Sequence, residues 1–450
     1  MAGVTEIRKA FPAIFGGFLL LFFVIFSANP SLAQIQGSAG QTDAKPFSAT
    51  VALREGYDSN PLTQSYQSSQ DIQSSTYTSV QPSLNYNYDG LQAYLALRYD
   101  FSGTYYPSIN QSYDIQYAQT LQGRYTYQFD PRTSLSAANN FIYTEQPQLA
   151  AFVQQGISPL VQTNASGLSS TINNLATLEL DYRVTDRLSM ITKWNNTVVS
   201  QGGSTASSGN YMNNGAFQQF RLDFTPETVG TFTFDYQLYD YNNDNTYRDN
   251  QQVSFSVGAD HTFLPELSFS GRVGIQLNDN FGLADNTNLI SAGGLGSGEQ
   301  EIGATPFASI SSTWSYEQRS FMSAGFSMQV QQSNLNTSSD SEAYTLNLNW
   351  DHQFTEKFSV IQSFFVNLAV FTPELTQQQT QNLYPGATYQ GSGQQTTVTY
   401  QCKFAYQFLP YLSAELGWTY NSYGNYFDLN NSNGGSYTRN QVYLGVRGTY

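Results

Sequence analysis

The last ten residues of the chain, Gln441–Tyr450, read Gln-Val-Tyr-Leu-Gly-Val-Arg-Gly-Thr-Tyr. In an extended strand successive side chains point to opposite faces. One face of this stretch therefore carries the apolar residues Val442, Leu444, Val446 and Tyr450. A strand of this length is long enough to cross a thin bilayer, which needs about 9–11 residues. A half-buried strand of a soluble domain has the same pattern, so the rest of the chain must decide between the two.

The same stretch resembles the closing strand of bacterial outer-membrane β-barrels, in which the alternation ends on a terminal aromatic residue. In that class the last strand is recognised by the barrel-insertion machinery. The resemblance therefore implies that Val442, Leu444, Val446 and Tyr450 form an assembly signal.

Composition excludes several classes of protein. Charged residues make up only 11% of the 450 residues, whereas soluble domains carry about 25%. Aromatic residues make up 15%, which is unlike a disordered chain. A single long apolar run argues against a helical membrane protein, and the single cysteine, Cys402, excludes a disulfide framework within the chain.

The first 33 residues have the three parts of a secretory signal peptide. Arg8 and Lys9 precede an apolar run, and Ser31-Leu32-Ala33 provides a small-residue cleavage site. We predict cleavage after Ala33, although a retained anchor helix is the alternative. Cleavage removes one acid and two bases, which leaves 32 acids, 16 bases and a net charge of −16. Residues 34–46 then form a short periplasmic lead, and residues 47–450 form the main domain.

From Phe47 onward apolar and polar residues alternate with the period of β-strands. Two kinds of connection separate the alternating segments. Eight are short and carry turn residues: Asp89-Gly90, Asp130-Pro131-Arg132, Thr185-Asp186-Arg187, Thr225-Pro226-Glu227, Leu264-Pro265-Glu266, Glu317-Gln318-Arg319, Thr355-Glu356-Lys357 and Leu409-Pro410. Nine are longer and polar, near residues 58–73, 105–112, 146–170, 200–210, 240–248, 280–300, 333–341, 372–394 and 421–437.

Short and long connections alternate strictly along the chain. The sequence therefore predicts an all-β, antiparallel, up-and-down transmembrane β-barrel of about 18 strands, with short periplasmic turns and long extracellular loops. A propeller or a β-solenoid would also give a repeat of this spacing. Neither needs strands of about twelve residues with one uniformly apolar face. Aromatic residues beside the short turns, such as Tyr86, Tyr88, Tyr127, Phe129, Tyr406 and Phe408, are typical of a membrane-interface girdle.

The opposite face of the strands is small and polar with occasional charges. Alternation places nine bases and eight acids on this face, and we predict that they line the lumen: Arg54, Arg98, Asp100, Arg124, Glu179, Asp181, Arg183, Lys193, Arg221, Asp223, Asp235, Asp260, Arg272, Asp351, Lys403, Glu415 and Arg447. Spacing suggests that Arg98 pairs with Asp100 and Arg221 with Asp223. Barrels of about 16–18 strands leave an aqueous channel unless loops or a plug block it.

The remaining charges are distributed unevenly between the two ends. Sixteen acids, including Asp58, lie toward the long loops, against two bases, Arg248 and Arg439. An acidic mouth concentrates cations, so we predict a weak cation preference. No loop has the ligand spacing of a calcium loop.

No catalytic constellation is evident, and we predict that the chain is not an enzyme. His261 and His352 lie just before short turns on the apolar phase, which favours interface positions. Cys402 is also on the apolar phase. Gly293–Gly298 lacks the lysine of a phosphate-binding loop. We expect no cofactor, no metal site and no nucleic-acid partner.

The first strand leads into Tyr57-Asp58-Ser59-Asn60. This run resembles the opening strand of the β-barrel porin family associated with exopolysaccharide and exosortase systems. The resemblance implies passive transport or a role in polysaccharide export, and it carries over no binding residues.

Together these patterns predict an outer-membrane porin-like channel for passive diffusion of small hydrophilic solutes. The alternative is a loop-blocked barrel with a structural or export-accessory role in the envelope. A weaker alternative is an adhesin or receptor that acts through its acidic loops. The expected partners are outer-membrane lipid and lipopolysaccharide, the insertion machinery, and polysaccharide or small hydrophilic solutes. Self-association is left open.

Overall fold

The structure is a computed structural model, and it describes residues 46–64, 72–109, 114–145, 170–201, 210–241, 249–279, 303–332, 340–371, 393–427 and 436–450. The predicted signal peptide, nearly all of the predicted lead and most long-loop residues lie outside these ranges. The described residues form eighteen strands, numbered in chain order: β1 (Phe47–Asp58), β2 (Ser75–Asp89), β3 (Ala93–Tyr105), β4 (Ile115–Asp130), β5 (Thr133–Thr144), β6 (Thr171–Arg183), β7 (Leu188–Gln201), β8 (Tyr211–Thr225), β9 (Thr228–Tyr241), β10 (Asn250–Leu264), β11 (Leu267–Asp279), β12 (Gly303–Glu317), β13 (Ser320–Gln332), β14 (Asp340–Thr355), β15 (Phe358–Phe371), β16 (Gly393–Leu409), β17 (Leu412–Phe427) and β18 (Tyr437–Thr449).

Each strand pairs antiparallel with its neighbours in sequence, and β1 also pairs with β18. At this junction Ala49 and Tyr450 exchange backbone hydrogen bonds of 3.2 and 2.8 Å. The sheet is therefore a closed barrel of eighteen strands, and the fold predicted from the alternation is confirmed.

The eight short connections between β2 and β17 occur at the predicted turns. Their side chains accept backbone N–H groups: Asp130 Oδ1 accepts from Arg132 N at 2.7 Å, and Thr355 Oγ1 accepts from Phe358 N at 3.0 Å. These bonds satisfy backbone donors that leave the sheet ladder, which is why Asp and Thr suit these positions.

The barrel has an apolar outer face. Leu444, Leu53 and Val257 are 64%, 53% and 56% exposed. Near the short turns many of the exposed apolar residues are aromatic: Tyr88, Phe129, Phe224, Phe263, Phe354, Phe408 and Tyr411. A soluble protein would leave this continuous apolar surface in water at a large cost in free energy, whereas lipid removes that cost.

The ladder between β12 and β13 is incomplete toward the long loops. It begins at Ala308 and Met328, two residues after Pro306, which lacks the backbone N–H that a ladder uses. The side-chain amide of Gln276 in β11 instead bonds Val330 in β13. Gln276 Oε1 accepts from Val330 N at 2.9 Å, and Nε2 donates to Val330 O at 3.3 Å. Gln276 thus satisfies a strand edge that β12 leaves unpaired.

No helix within the described ranges is long and apolar enough to cross a membrane.

Candidate functional site

The structure places all seventeen predicted lumen charges on the face opposite the exposed apolar side chains. In β1, for example, Arg54 follows the outward Leu53, and its neighbour across the β1–β18 ladder is Gly445. In β18 Arg447 lies between the outward Val446 and Gly448. Because paired residues of neighbouring strands share a face, the same assignment extends around the barrel.

One group of inner charges lies where the barrel closes. Glu415 in β17 is only 2% exposed, and its carboxylate accepts a hydrogen bond from Arg54 and forms an ion pair with Arg447. Arg54 Nη2 lies 2.9 Å from Glu415 Oε2, and Arg447 Nε lies 2.8 Å from Oε1. The Arg54 guanidinium also lies over the Tyr443 ring, 4.5 Å from its centroid. We call Arg54, Glu415 and Arg447 the seam triad.

Two glycines allow this packing. A Cβ at Gly445 would lie 2.7 Å from Arg54 Cγ, and a Cβ at Gly417 would clash with the Tyr443 ring, whose nearest atoms would be 2.2 Å away. Any larger residue at these positions would displace Arg54 or Tyr443 from the wall. The seam triad is therefore shaped by backbone as well as by charge.

A second group lies on the far side of the barrel, since β10 is nine strands from β1. Asp260 in β10 lies 3.7 Å from Arg221 Nη2 and 3.9 Å from Arg272 Nη2, and Ser270 Oγ donates to it at 2.6 Å. The spacing in β8 predicts a pair between Arg221 and Asp223. That pairing is wrong, because the long arginine side chain reaches past β9 to Asp260.

Other inner charges pair more simply. Arg98 Nε donates to Asp100 at 2.7 Å, as the spacing predicts, and Lys193 Nζ lies 2.6 Å from Glu179. Asp235 accepts from Gln237 at 2.7 Å. Among the residues that the structure describes, Arg124, Asp181, Arg183, Asp223, Asp351 and Lys403 form no ion pair within 4.0 Å. These groups leave a polar, charged inner wall.

The two ends of the inner wall differ in how exposed their inward side chains are. Toward the short turns inward residues such as Arg124 and Arg183 are exposed, and Arg98 is 50% exposed. Toward the long loops the first inward residues of most strands are buried: Ser75, Gln116, Thr171, Tyr211, Tyr241, Asn250, Asn278, Ser341, Phe371, Gln395, Tyr423 and Tyr437. The water-accessible part of the described wall is therefore the part near the short turns, and the seventeen charges lie outside the buried row.

Within the buried end lies a charge pair that sequence reasoning missed. Asp58 is 0% exposed and Arg439 is 3% exposed, whereas the sequence predicts both among the charges toward the long loops. Arg439 Nη2 donates to Asp58 Oδ2 at 2.6 Å, and Arg439 Nε donates to Oδ1 at 3.1 Å. The Tyr106 hydroxyl and Gln441 Nε2 also donate to Oδ2, at 3.1 and 2.9 Å.

The Tyr57–Asn60 run belongs to the same cluster. Asn60 N donates to Asp58 Oδ1 at 3.0 Å, and Asn60 Nδ2 donates to the Thr438 carbonyl at 3.3 Å. Ser59 N donates to the Asn440 carbonyl, and Asn440 N donates to Ser59 Oγ. These contacts join the end of β1 to the start of β18. Opposite charges at the inward ends of the first and last strands were the available signal, because barrel closure makes those strands neighbours.

One acid outside the strands has a perturbed pKa. Asp249 immediately precedes β10, and burial raises the pKa of its carboxyl from 3.8 to about 6. The Tyr241 N–H, which donates to Oδ1 at 2.7 Å, lowers the pKa, and the charge of Asp240 raises it. Asp249 therefore carries its negative charge at neutral pH and loses it as the pH falls below about 6.

The residues considered for catalysis lie on the outer wall. His261 Nδ1 is 2.8 Å from Thr228 Oγ1, and His352 Nδ1 is 2.9 Å from the Tyr316 hydroxyl. Cys402 faces outward and is buried between neighbouring side chains. No group of three or more potential metal ligands occurs among the residues that the structure describes. The loop glycines Gly293–Gly298 lie outside those residues.

The last strand exposes its apolar face. Val442, Leu444 and Val446 are 45%, 64% and 48% exposed, and Tyr450 is 77% exposed. Their role as an assembly signal stays a prediction.

No protein-family model matches the chain, and no curated protein matches it. Among solved structures the chain is similar to the siderophore receptor PiuA from Acinetobacter baumannii, with 10% identity and a TM-score of 0.43 over 91% of this chain and 82% of that one. It is similar to the FrpB iron transporter (F5-1 variant) from Neisseria meningitidis, with 8% identity and a TM-score of 0.42 over 89% and 82%. It is also similar to the outer membrane protein opdK from Pseudomonas aeruginosa, with 9% identity and a TM-score of 0.41 over 90% and 99%.

Proposed function

We propose that this protein is an outer-membrane channel for passive diffusion of small hydrophilic solutes. The observation that carries the proposal is the difference in polarity between the outer and inner faces of the barrel wall. The wall is apolar and exposed outside, and polar, charged and water-accessible inside near the short turns. A closed barrel with this polarity is stable in lipid, because closure gives each strand two neighbours and apolar groups meet the acyl chains.

The proposal includes location, partners and selectivity. The predicted signal peptide supports export, and the outer aromatic residues near the turns support contact with lipid headgroups. Lipopolysaccharide, the insertion machinery and further copies of the chain are the proposed partners, and no catalytic activity is proposed. The excess of acids toward the long loops supports a weak cation preference.

A specific observation favours the alternative of a blocked barrel with a structural or polysaccharide-export role. Inward residues are buried in a row near the long loops. A continuous wet channel would leave inward side chains accessible at both ends. The resemblance of Tyr57–Asn60 to the exopolysaccharide-associated barrels also fits this alternative, and no family model supports that assignment.

Single-channel recording of the refolded mature protein in a planar bilayer separates the two proposals. The open channel predicts ohmic steps, with a cation-selective reversal potential in a salt gradient that weakens as ionic strength rises. Protein that is folded by heat-modifiable gel mobility but does not conduct would remove the channel proposal and favour the blocked barrel. The same protein after heat unfolding is the control for leakage.

A further inference from the structure

Positive charge collects on one part of the inner wall, around the seam triad. Lys403 in β16 faces inward in the row next to Glu415, and its charge interacts with Glu415, Arg54 and Arg447. Asp351 lies in the same row as Lys403, two strands away, with Ile361 between them. Three bases thus face two acids, which leaves one uncompensated positive charge on this wall.

The two acids do not neutralise the bases equally. Glu415 holds Arg54 and Arg447 in place through its two oxygens. Lys403 forms no ion pair within 4.0 Å with any residue in the described part of the chain. Its ammonium group therefore has free donor capacity beside two fixed guanidinium groups.

A cavity at the short-turn end of the barrel lies next to this wall, and Arg447 belongs to both. The cavity has a volume of about 300 Å³ and is lined by residues that include Arg447, Arg319 and Lys357, with the acids Asp351 and Glu356. This volume is at the lower end of the range for small-molecule sites, about 300–1,000 Å³. A small solute in this cavity contacts Arg447 and lies next to Asp351 and Ile361, which share the row of Lys403.

We propose that Lys403, Arg54 and Arg447 form a binding site for the anionic group of a small polar solute, such as the carboxylate of a sugar acid. Glu415 is the positioning residue of this site, because it orients both guanidinium groups. The ammonium of Lys403 donates to the anion, together with the N–H groups of Arg54 and Arg447 that do not face Glu415. The Tyr443 ring under Arg54 holds the guanidinium plane against the wall.

The inference goes beyond passive diffusion, and it rests on the proposed wet lumen. It also differs from the cation preference proposed for the mouth. The mouth acts on small ions at long range, whereas this site binds one group at short range. The far-side group of Arg221, Asp260 and Arg272 provides an internal comparison, because it has the same types of charge on a different wall.

Isothermal titration of the folded protein in detergent, with D-galacturonate as the probe and D-galactose as its uncharged counterpart, tests the site. We expect saturable binding of galacturonate, weaker or no binding of galactose, and an affinity that falls with added KCl. Lys403→Gln should weaken galacturonate binding about tenfold, the loss of roughly one charge-assisted hydrogen bond. Arg272→Gln, which removes one positive charge from the far wall, should leave the affinity unchanged.

A second variant should change the affinity for galacturonate in the opposite direction. Asp351→Asn removes a negative charge from the row of Lys403 and should tighten galacturonate binding severalfold. Heat-modifiable mobility equal to that of the wild type verifies folding of each variant. Equal weakening by Lys403→Gln and Arg272→Gln would overturn the site in favour of a general lumen field. Absence of galacturonate binding to the wild type, or equal binding of galactose, would also overturn it.

The titration and the conductance recording together distinguish failure of the binding site from failure of the channel proposal. A conducting protein that does not bind galacturonate loses the site and keeps the channel. A protein that binds galacturonate and does not conduct keeps the site and loses the channel.

Discussion

At the scale of single residues, Asp249 gives the clearest dependence on pH. Its pKa is raised to about 6 in the folded protein. Burial of Asp249 therefore destabilises the folded protein most above about pH 6, where the carboxylate is charged in both the folded and the unfolded state. This destabilisation disappears below the ordinary carboxyl pKa of 3.8, where Asp249 is protonated in both states. Stability linked to Asp249 is fully present below that value and is lost as the pH rises through 6.

We predict that the wild type gains stability relative to Asp249→Asn as the pH falls from 7 to 4. The asparagine Oδ1 still accepts the Tyr241 N–H, so the variant removes the titration and keeps the contact. The measurement is the midpoint temperature of heat modification for both proteins at each pH. A constant difference between the two midpoints over this range would show that Asp249 does not titrate as described.

For single charged residues, the sequence predicts the face of the wall but not the pairing partner. Alternation gives the inward face of Arg54, Glu415 and Arg447, because it depends only on neighbours along the chain. It does not give their pairing, since Arg54 and Glu415 are 361 positions apart. The predicted pairing of Arg221 with Asp223 is wrong for the same reason. Which inward charge meets which depends on the register of several strands and on side-chain length.

At the scale of elements, the Asp58–Arg439 pair joins the first strand to the last. Both side chains are buried, so removing one leaves the other as an uncompensated buried charge. Breaking a buried pair in this way typically costs about 3–5 kcal/mol. We predict a destabilisation of that size for Arg439→Met, measured by urea unfolding of the refolded barrel.

A matched comparison is available in β3. Arg98 also pairs with an aspartate within hydrogen-bond distance, but it is 50% exposed. Arg98→Met should cost about 0–1 kcal/mol, as exposed pairs do. The double variant Asp58→Asn with Arg439→Met should recover part of the loss. Similar effects of Arg439→Met and Arg98→Met would contradict a structural role for the buried pair.

Turns and strands were predictable because their signals are local. Asp130-Pro131 and Thr355-Glu356 carry turn chemistry, and each lies at a short connection in the structure. The incomplete β12–β13 ladder was less evident. Pro306 marks a break in pairing, but nothing local to Gln276 indicates that its amide would replace a strand.

At the scale of the whole molecule, strand number and closure follow from counting. Eight short and nine long connections give eighteen strands, and the structure closes them into one barrel. The burial of the inner wall near the long loops could not be predicted. Alternation assigns each side chain to a face, whereas burial depends on how the complete lumen is packed.

The proposed channel requires that the apolar face of each strand meets lipid and that the opposite face meets the lumen. Leu346 and Asn347 are adjacent in β14, and Leu346 is 37% exposed on the outer face while Asn347 faces inward. An arginine in contact with lipid near the bilayer midplane costs about 2–4 kcal/mol, whereas an arginine in a wet lumen costs little.

The most direct test is therefore the yield of heat-modifiable, membrane-assembled barrel for Leu346→Arg and Asn347→Arg, expressed side by side with the wild type. We predict that Leu346→Arg loses most of the assembled barrel and that Asn347→Arg assembles close to the wild-type yield. Equal yields of the two variants, or a greater loss for Asn347→Arg, would contradict the assignment of the two faces.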